Sequence, residues 1–479
     1  MPKMSKLLSR IQKNTDWVVV VFLVVFSGFF IFWGLGRTTL VDWDESIYAG
    51  VAKEMVVRGD WLTLYWNGQK FFEKPPLYFW LTALNFLIFG FSEFAARFWS
   101  AILGIIGVVV VYFFGREVFD RLAGFTAALI LASTPHWVLQ SRNGTLDIMA
   151  ASFVILTLYF FWKARKEPRF WKISGIFLGL TFMTKNVVAV IPLLIMGIFA
   201  ALEISFERNL KKYPSKSLLL FILCSLLVIL PWHLIMLLIH GQDFIGEYFF
   251  YHILARTRGI EGHSKPWFWY FIVLQHWGRF WYLLFLGAIY LLAGFIVRDG
   301  IKKHKPGFFL FLWFFLAFLI FSISKSKIEW YIIPLYPAMA LLIGGFCSSF
   351  LKYFGPVKRL WLVGLFVIFC LFSLYESLHL WRLEDYNRDI ARAAEAAKAV
   401  SRPEDKVYVA NLAPGPPIFY SGRRVITIDW WGLKKKVGDG GRVFILSPWE
   451  LWWNLSSEGL SSDLEIFERS GGVVLYGRQ

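Results

Sequence analysis

The chain repeatedly runs for about twenty residues with hardly a charge, and such runs leave few folds open. Twenty residues of helix rise about 30 Å, the thickness of the hydrocarbon layer of a membrane. Runs of this kind lie near 17–36, 95–115, 122–138, 146–162, 173–183, 187–204, 218–239, 279–297, 307–323, 331–350 and 360–378. They predict an all-α polytopic membrane protein of about 11–13 transmembrane helices. Composition agrees: 57% of the 479 residues are hydrophobic and 19% aromatic, too apolar for a soluble chain of this length.

Charge orients the spans. Lys3, Lys6, Arg10 and Lys13 precede the first, and further basic clusters fill 163–172, 208–216, 298–305 and 352–359. Positive loops stay in the cytoplasm, so the N-terminus and these loops are expected there, and the alternate loops outside. The net charge of +17 follows from this bias, and a basic rim also attracts anionic membrane lipids. The charges are dispersed between spans, which excludes nucleic acid as a partner. The first span lacks a small-residue cleavage site after it and reads as an uncleaved helix. Cys224, Cys347 and Cys370 sit inside apolar runs and read as core residues, not as a disulfide or metal framework.

Two loops and one tail break the apolar pattern. Residues 1–380 read as the membrane domain, with outer loops at 37–94 and 240–277. Inside the first loop, Asp42–Val57 has helical spacing, Trp66-Asn67-Gly68 marks a turn, and the short apolar stretch 77–91 suits a helix lying along the interface. Residues 381–479 read as a small soluble α/β domain, with a helix at 390–400 and strands near 406–412, 424–429, 442–446 and 472–476.

The unusual polar residues all fall on the expected outer side. Ionisable groups beside a membrane are costly unless solvated or paired, so their convergence marks a site. Asp42 followed three residues later by Glu45 fits a capping box. Asp44 sits in the first helical turn, where the helix dipole keeps a carboxylate ionised and fit to take a proton from a hydroxyl, with Tyr48 one turn on. Lys74 precedes Pro75-Pro76, which fixes the backbone and aims an ammonium suited to phosphate. Asp147, Lys185, Arg258, His263, Lys327 and Tyr331 lie in other loops on the same side. Four of these have an ordinary alternative: a helix cap for Asp147, a surface histidine for His263, a loop charge for Lys327, an aromatic-belt residue for Tyr331. A transporter would place such groups at mid-membrane instead.

Taken in order, Asp44-Glu45-x-x-Tyr48, Glu54-Met55, Gly59-Asp60-Trp61, Asn67-Gly68 and Phe72-Glu73-Lys74-Pro75-Pro76-Leu77 resemble the first outer loop of the bacterial GT-C glycosyltransferases of the aminoarabinose transferase and dolichyl-phosphate-mannose protein mannosyltransferase superfamily. Leu146-Asp147, Thr184-Lys185, His263-x-x-Pro266-Trp267 and Ser324-Lys325-x-Lys327-x-x-x-Tyr331 resemble later motifs of the same family. The resemblance implies a GT-C fold in the bacterial inner membrane and transfer, with inversion, from a polyprenyl-phosphate sugar to a lipid, glycan or protein on the periplasmic face. It implies Asp44, Asp147 and Glu45 as catalytic carboxylates. Lys74, His263, Lys327 and Tyr331, with Lys185 and Arg258, would bind the carrier phosphate, and Tyr48 and Glu73 the substrate. No nucleotide is implied; a divalent cation is left open, since some GT-C enzymes use one and no compact ligand motif is present. Ser46 and Ile47 replace the Thr-Arg of the lipid A aminoarabinose transferases, which keeps sugar and acceptor open. A lipid-linked sugar flippase is the alternative of a different class.

Overall fold

In hydrocarbon a chain must satisfy its own backbone, and the apolar runs accordingly form helices. A computed structural model describes residues 2–208, 210–255, 264–352, 354–380 and 385–479. It begins with α1 (Pro2–Phe32). The first long loop folds into α2 (Asp44–Arg58), a hairpin of β1 (Tyr65–Trp66) and β2 (Gln69–Lys70), and α3 (Leu77–Phe89). Then come α4 (Glu93–Val118), α5 (Arg121–Ser133), α6 (Pro135–Arg142), α7 (Leu146–Ala164), α8 (Phe170–Thr184), α9 (Val190–Glu207) and α10 (Ser215–Phe244), which a π-helical segment, Ile245–Ala255, extends. The bundle closes with α11 (Trp269–Asp299), α12 (Lys305–Ile323), α13 (Tyr336–Leu351) and α14 (Pro356–Leu380).

Among the described residues seven helices are long and apolar enough to cross a membrane, and α5 with α6 makes an eighth if that bent pair is one span. The shorter apolar stretches Asp16–Phe32, Phe170–Thr184 and Leu360–Tyr375 coincide with the first, fifth and eleventh expected spans. The third expected span is not straight. α5 stops at Ser133 and α6 leaves at 62°, because Pro135 brings no N–H and its ring clashes with the preceding turn. The bend brings Arg142 to the end of α1, where it donates to the carbonyls of Phe30 (2.8 Å) and Ile31 (2.9 Å).

Small residues set the helix crossings. A Cβ on Gly124 would lie 2.3 Å from the Tyr112 carbonyl oxygen, so α5 approaches α4 as closely as backbones allow. Gly175 on α8 meets the Phe221 carbonyl of α10 in the same way.

Ionic contacts sort the helix ends into two faces. On one, Asp16 gathers Tyr112, Arg116 and Arg121, and Glu203 gathers Arg165, Lys212, Tyr213 and Lys305. On the other lie α2, the start of α4, the α6–α7 turn and the α8–α9 junction.

The tail forms a five-stranded sheet on that second face. α15 (Arg388–Val400), β3 (Lys406–Ala410), α16 (Gly415–Ser421), β4 (Arg424–Ile428), α17 (Trp430–Gly438), β5 (Val443–Pro448), α18 (Trp449–Ser457), β6 (Glu465–Ser470) and β7 (Val473–Arg478) follow in order. The strands run β4-β3-β5-β7-β6, parallel across the first three and antiparallel thereafter. The sheet is seated on the first loop. The β1–β2 turn, with Asn67 and Gly68 both at positive φ, is a hairpin turn of the mirror-image type. The Asn67 amide pairs with both backbone groups of Val425 at 2.8 Å. The Tyr420 hydroxyl accepts from the Leu40 N–H and donates to Glu93, both at 2.8 Å.

Gly124→Ala is expected to cost about 1–3 kcal/mol through overpacking, read as a lower thermal midpoint in detergent. Gly197→Ala, whose Cβ meets open space, should leave the midpoint unchanged.

Candidate active site

α2 starts at a strained residue. Trp43 has φ 67 and ψ −127, a region that bulky side chains avoid at a cost of about 1–3 kcal/mol. That kink turns the chain so that Asp44 and Glu45 open the helix and face different neighbours. The expected Asp42 capping box is not formed, as no side chain caps this end. Glu45 instead accepts from the Val41 N–H at 2.7 Å.

The structure also corrects the place expected for Glu45. Its carboxylate is buried against Arg97 of α4, with Nε at 2.7 Å from one oxygen and Nη2 at 2.8 Å from the other. The first oxygen also accepts from the Gly144 N–H at 2.6 Å. Arg97 uses its remaining N–H groups on the carbonyls of Leu35, Thr38 and Thr39, each at 2.9 Å. The lone pairs of Glu45 are thereby engaged. The residue ties α2, α4 and the turn before α7 together.

Asp44 faces the other way. Among the described residues its carboxylate has no hydrogen-bond or ion-pair partner, and charge reaches it only through space, from Lys74, Asp147, Lys185 and Glu73. Burial pushes its pKa up; Asp147 and Glu73 add to the rise, and Lys74 and Lys185 oppose it. The flanking groups are paired. Lys185, at the break between α8 and α9, reaches Asp147 at 2.6 Å and lies 4.4 Å from the centre of the Tyr331 ring. Lys74 contacts Glu73 at 2.7 Å. Tyr48, one turn beyond Asp44, is buried and feels Asp44, Glu73, Asp147 and Tyr331, which with burial raise its phenol well above its usual range. Asp44, Tyr48, Glu73, Lys74, Asp147, Lys185 and Tyr331 therefore come together from five segments of chain.

The other expected residues divide. Lys327 is buried and donates to the Ser324 carbonyl; burial lowers its pKa. Arg258 and His263 lie outside the described residues. Sequence reasoning missed Arg97, Gly144 and Tyr270, whose hydroxyl donates to the Ile328 carbonyl at 3.1 Å beside Tyr331. A lone arginine at the start of an apolar span was the available signal for Arg97. Among the described residues no three of His, Cys, Asp or Glu form a group able to hold a metal, and Glu73 and Asp147 are engaged by lysines.

Residues 73–235 match the family model described as dolichyl-phosphate-mannose-protein mannosyltransferase. Over 353 residues the chain is 31% identical to an uncharacterized protein of Aquifex aeolicus, covering 72% of this chain and 76% of that one. The chain belongs to the GT-C glycosyltransferase superfamily of the aminoarabinose and protein mannosyl transferases. Within that superfamily it is 30% identical to the undecaprenyl phosphate-alpha-4-amino-4-deoxy-L-arabinose arabinosyl transferase 2 of Pseudomonas fluorescens, over 68% of this chain but only 56% of that enzyme. Its fold is similar to that of ArnT from Cupriavidus metallidurans, crystallised with undecaprenyl phosphate: TM-score 0.76 at 19% identity, over 97% of this chain and 98% of that one.

Removing one partner of the buried pair, as in Arg97→Met, is expected to cost about 3–5 kcal/mol by leaving a charge uncompensated. Asp44→Asn should behave oppositely. A carboxyl whose folded pKa is raised favours the fold only at low pH, and that support is lost as pH rises through the folded pKa. Thermal scans at pH 7 should therefore show a large drop for Arg97→Met and an unchanged or higher midpoint for Asp44→Asn.

Proposed function

We propose that this protein transfers a sugar from a polyprenyl-phosphate carrier to a hydroxyl or amine acceptor, at the outer boundary of the bacterial inner membrane and with inversion at the anomeric carbon. The observation that carries this reading is the half-buried Asp44 carboxylate, without a bond among the described residues and flanked by Lys74 and Lys185. Asp44 takes the proton of the acceptor as its oxygen or nitrogen bonds to the anomeric carbon. On the opposite side the bond from that carbon to the carrier phosphate breaks, and the electron pair leaves with the phosphate. Lys74 and Lys185 face the charge that develops there, with Tyr331 beside them. Lysines already held in place lower such a barrier more than free charges in water would. Asp147 holds Lys185 by its ion pair, and Glu73 holds Lys74. Arg258 and His263 complete the carrier-phosphate site in this reading, and Lys327 borders it.

A cavity of about 450 Å³ adjoins Glu73 and is lined by Ile47, Trp66, Phe71, Phe72, Tyr251 and His252 among others. It provides room for the acceptor. Ile47 stands there where the lipid A aminoarabinose transferases resemble an arginine, so the acceptor need not be lipid A. The first 380 residues act as the catalytic unit, and 381–479 brace its first loop from the periplasmic side.

Two measurements test this. Asp44→Asn and Lys74→Ala should each lower sugar transfer by at least about two orders of magnitude while the protein still inserts and purifies, as loss of a general base or of one charge donor does. The readout is mass spectrometry of lipids and envelope glycans from cells with the wild-type gene, with each variant and without the gene; wild-type glycan levels in both variants would reject the assignment. The pH profile gives the second. Glu73 raises the Asp44 pKa, so Glu73→Gln should move the acid limb of the transfer rate to lower pH.

A further inference from the structure

α2 has a second face. At about 100° per residue, Gly50, Lys53, Glu54 and Val57 lie on the side opposite Asp44 and Tyr48. They form one wall of a cavity of about 360 Å³, whose other wall is built by Ile418, Gly422, Arg423 and Arg424 of the C-terminal sheet domain.

The charges of this cleft do not balance. Four cations, Lys53, Arg58, Arg423 and Arg424, line it with one carboxylate, Glu54. Glu54 is already engaged by Arg58 at 3.0 Å and by the Gly68 N–H at 3.1 Å. Lys53 donates to the Phe419 carbonyl and lies 5.1 and 5.4 Å from the ring centres of Phe419 and Phe91. Arg423 donates to Ser401 and to the Lys398 carbonyl. Among the described residues neither of these, nor the exposed Arg424, pairs with a carboxylate. Burial, with Lys398 and Arg423 adding repulsion, lowers the Lys53 pKa to about 8. Seating the two domains accounts for the Lys53–Phe419 bond and for the Asn67–Val425 pair; it gives no reason to bring Arg424 beside them. Cations confined without a counter-charge are unfavourable unless an anion joins them, and Arg and Lys are the side chains that hold phosphate.

We infer that this cleft between α2 and the C-terminal domain binds a phosphate group, carried by an anionic phospholipid or by a soluble phosphate ester. It faces away from Asp44 and stands whether or not the transfer reaction is as proposed.

The test reads Lys53 directly in the full-length protein. An amine-acetylating reagent is applied near pH 8 in neutral detergent, and modification is followed peptide by peptide by mass spectrometry. Inorganic phosphate, against chloride at equal ionic strength, should slow acetylation of Lys53 by about fivefold when present at about four times its dissociation constant, following 1 + [L]/Kd. Exposed Lys172, at the other face of the bundle, should be unaffected. Arg424→Ala, at an exposed position, should keep the thermal midpoint and lose the protection. In nanodiscs without added phosphate, protection by phosphatidylglycerol but not by phosphatidylcholine assigns the site to a lipid headgroup; protection by phosphate alone assigns it to a soluble ester. Lys53 acetylated equally fast in all conditions, or protection unchanged in Arg424→Ala, overturns the inference.

Discussion

The site depends on one buried ion pair. Taking Glu45 and Arg97 out of water costs several kcal/mol per ion, and attraction offsets this only where geometry is good and the remaining donors and acceptors are filled. Both conditions hold: the guanidinium meets the carboxylate with two N–H groups, and its other N–H groups reach three carbonyls of the chain between α1 and α2. The pair therefore acts as a corner joint. It fixes where the first loop leaves α1 and the angle at which α2 sits on α4. Through the Gly144 N–H it also fixes the turn from which Asp147 starts α7. A Cβ at residue 144 would come within 3.3 Å of the Glu45 carboxylate, so any larger residue would push the turn or the carboxylate by a few tenths of an ångström.

Much of this was legible in the residues, and the failures have physical causes. The apolar runs gave the spans because hydrocarbon tolerates no unsatisfied backbone. They gave the third as straight because hydropathy does not register a proline near a span's end; the consequence of Pro135 is geometric. The strands at 406–410 and 424–428 alternate or run apolar, whereas Glu465–Ser470, an edge strand with Glu465, Glu468 and Arg469, carries no such pattern. Asp44 and Glu45 show the limit most clearly. Adjacent residues on a helix point about 100° apart, so one can be buried in an ion pair and the other, among the described residues, left without a bond. Which is which depends on Arg97, 52 residues away. The motif Asn67-Gly68 was readable as a turn; that it grips Val425, 358 residues on, was not.

The two faces of the bundle use charge differently. On the face of Asp16 and Glu203, each carboxylate is surrounded by more donors than it has charge to balance: Glu203 alone meets Arg165, Lys212, Lys305 and the Tyr213 hydroxyl. Such clusters tie helix ends together. On the face of α2, Asp147 pairs with Lys185 and Glu73 with Lys74, and among the described residues Asp44 has no bond.

That leftover carboxylate is a cost the fold has no need to carry. An unpaired acid held in a half-buried site could be replaced by an amide without loss if packing were the only demand. It is held there by strain at Trp43, by the fully engaged Glu45 beside it and by two lysines whose own charges are already balanced. Each of these removes a way for Asp44 to relax, whether by turning toward Arg97 or by closing on Lys74. A site built so that one acid does not satisfy itself fits the proposed transfer, in which the acceptor brings a proton to Asp44.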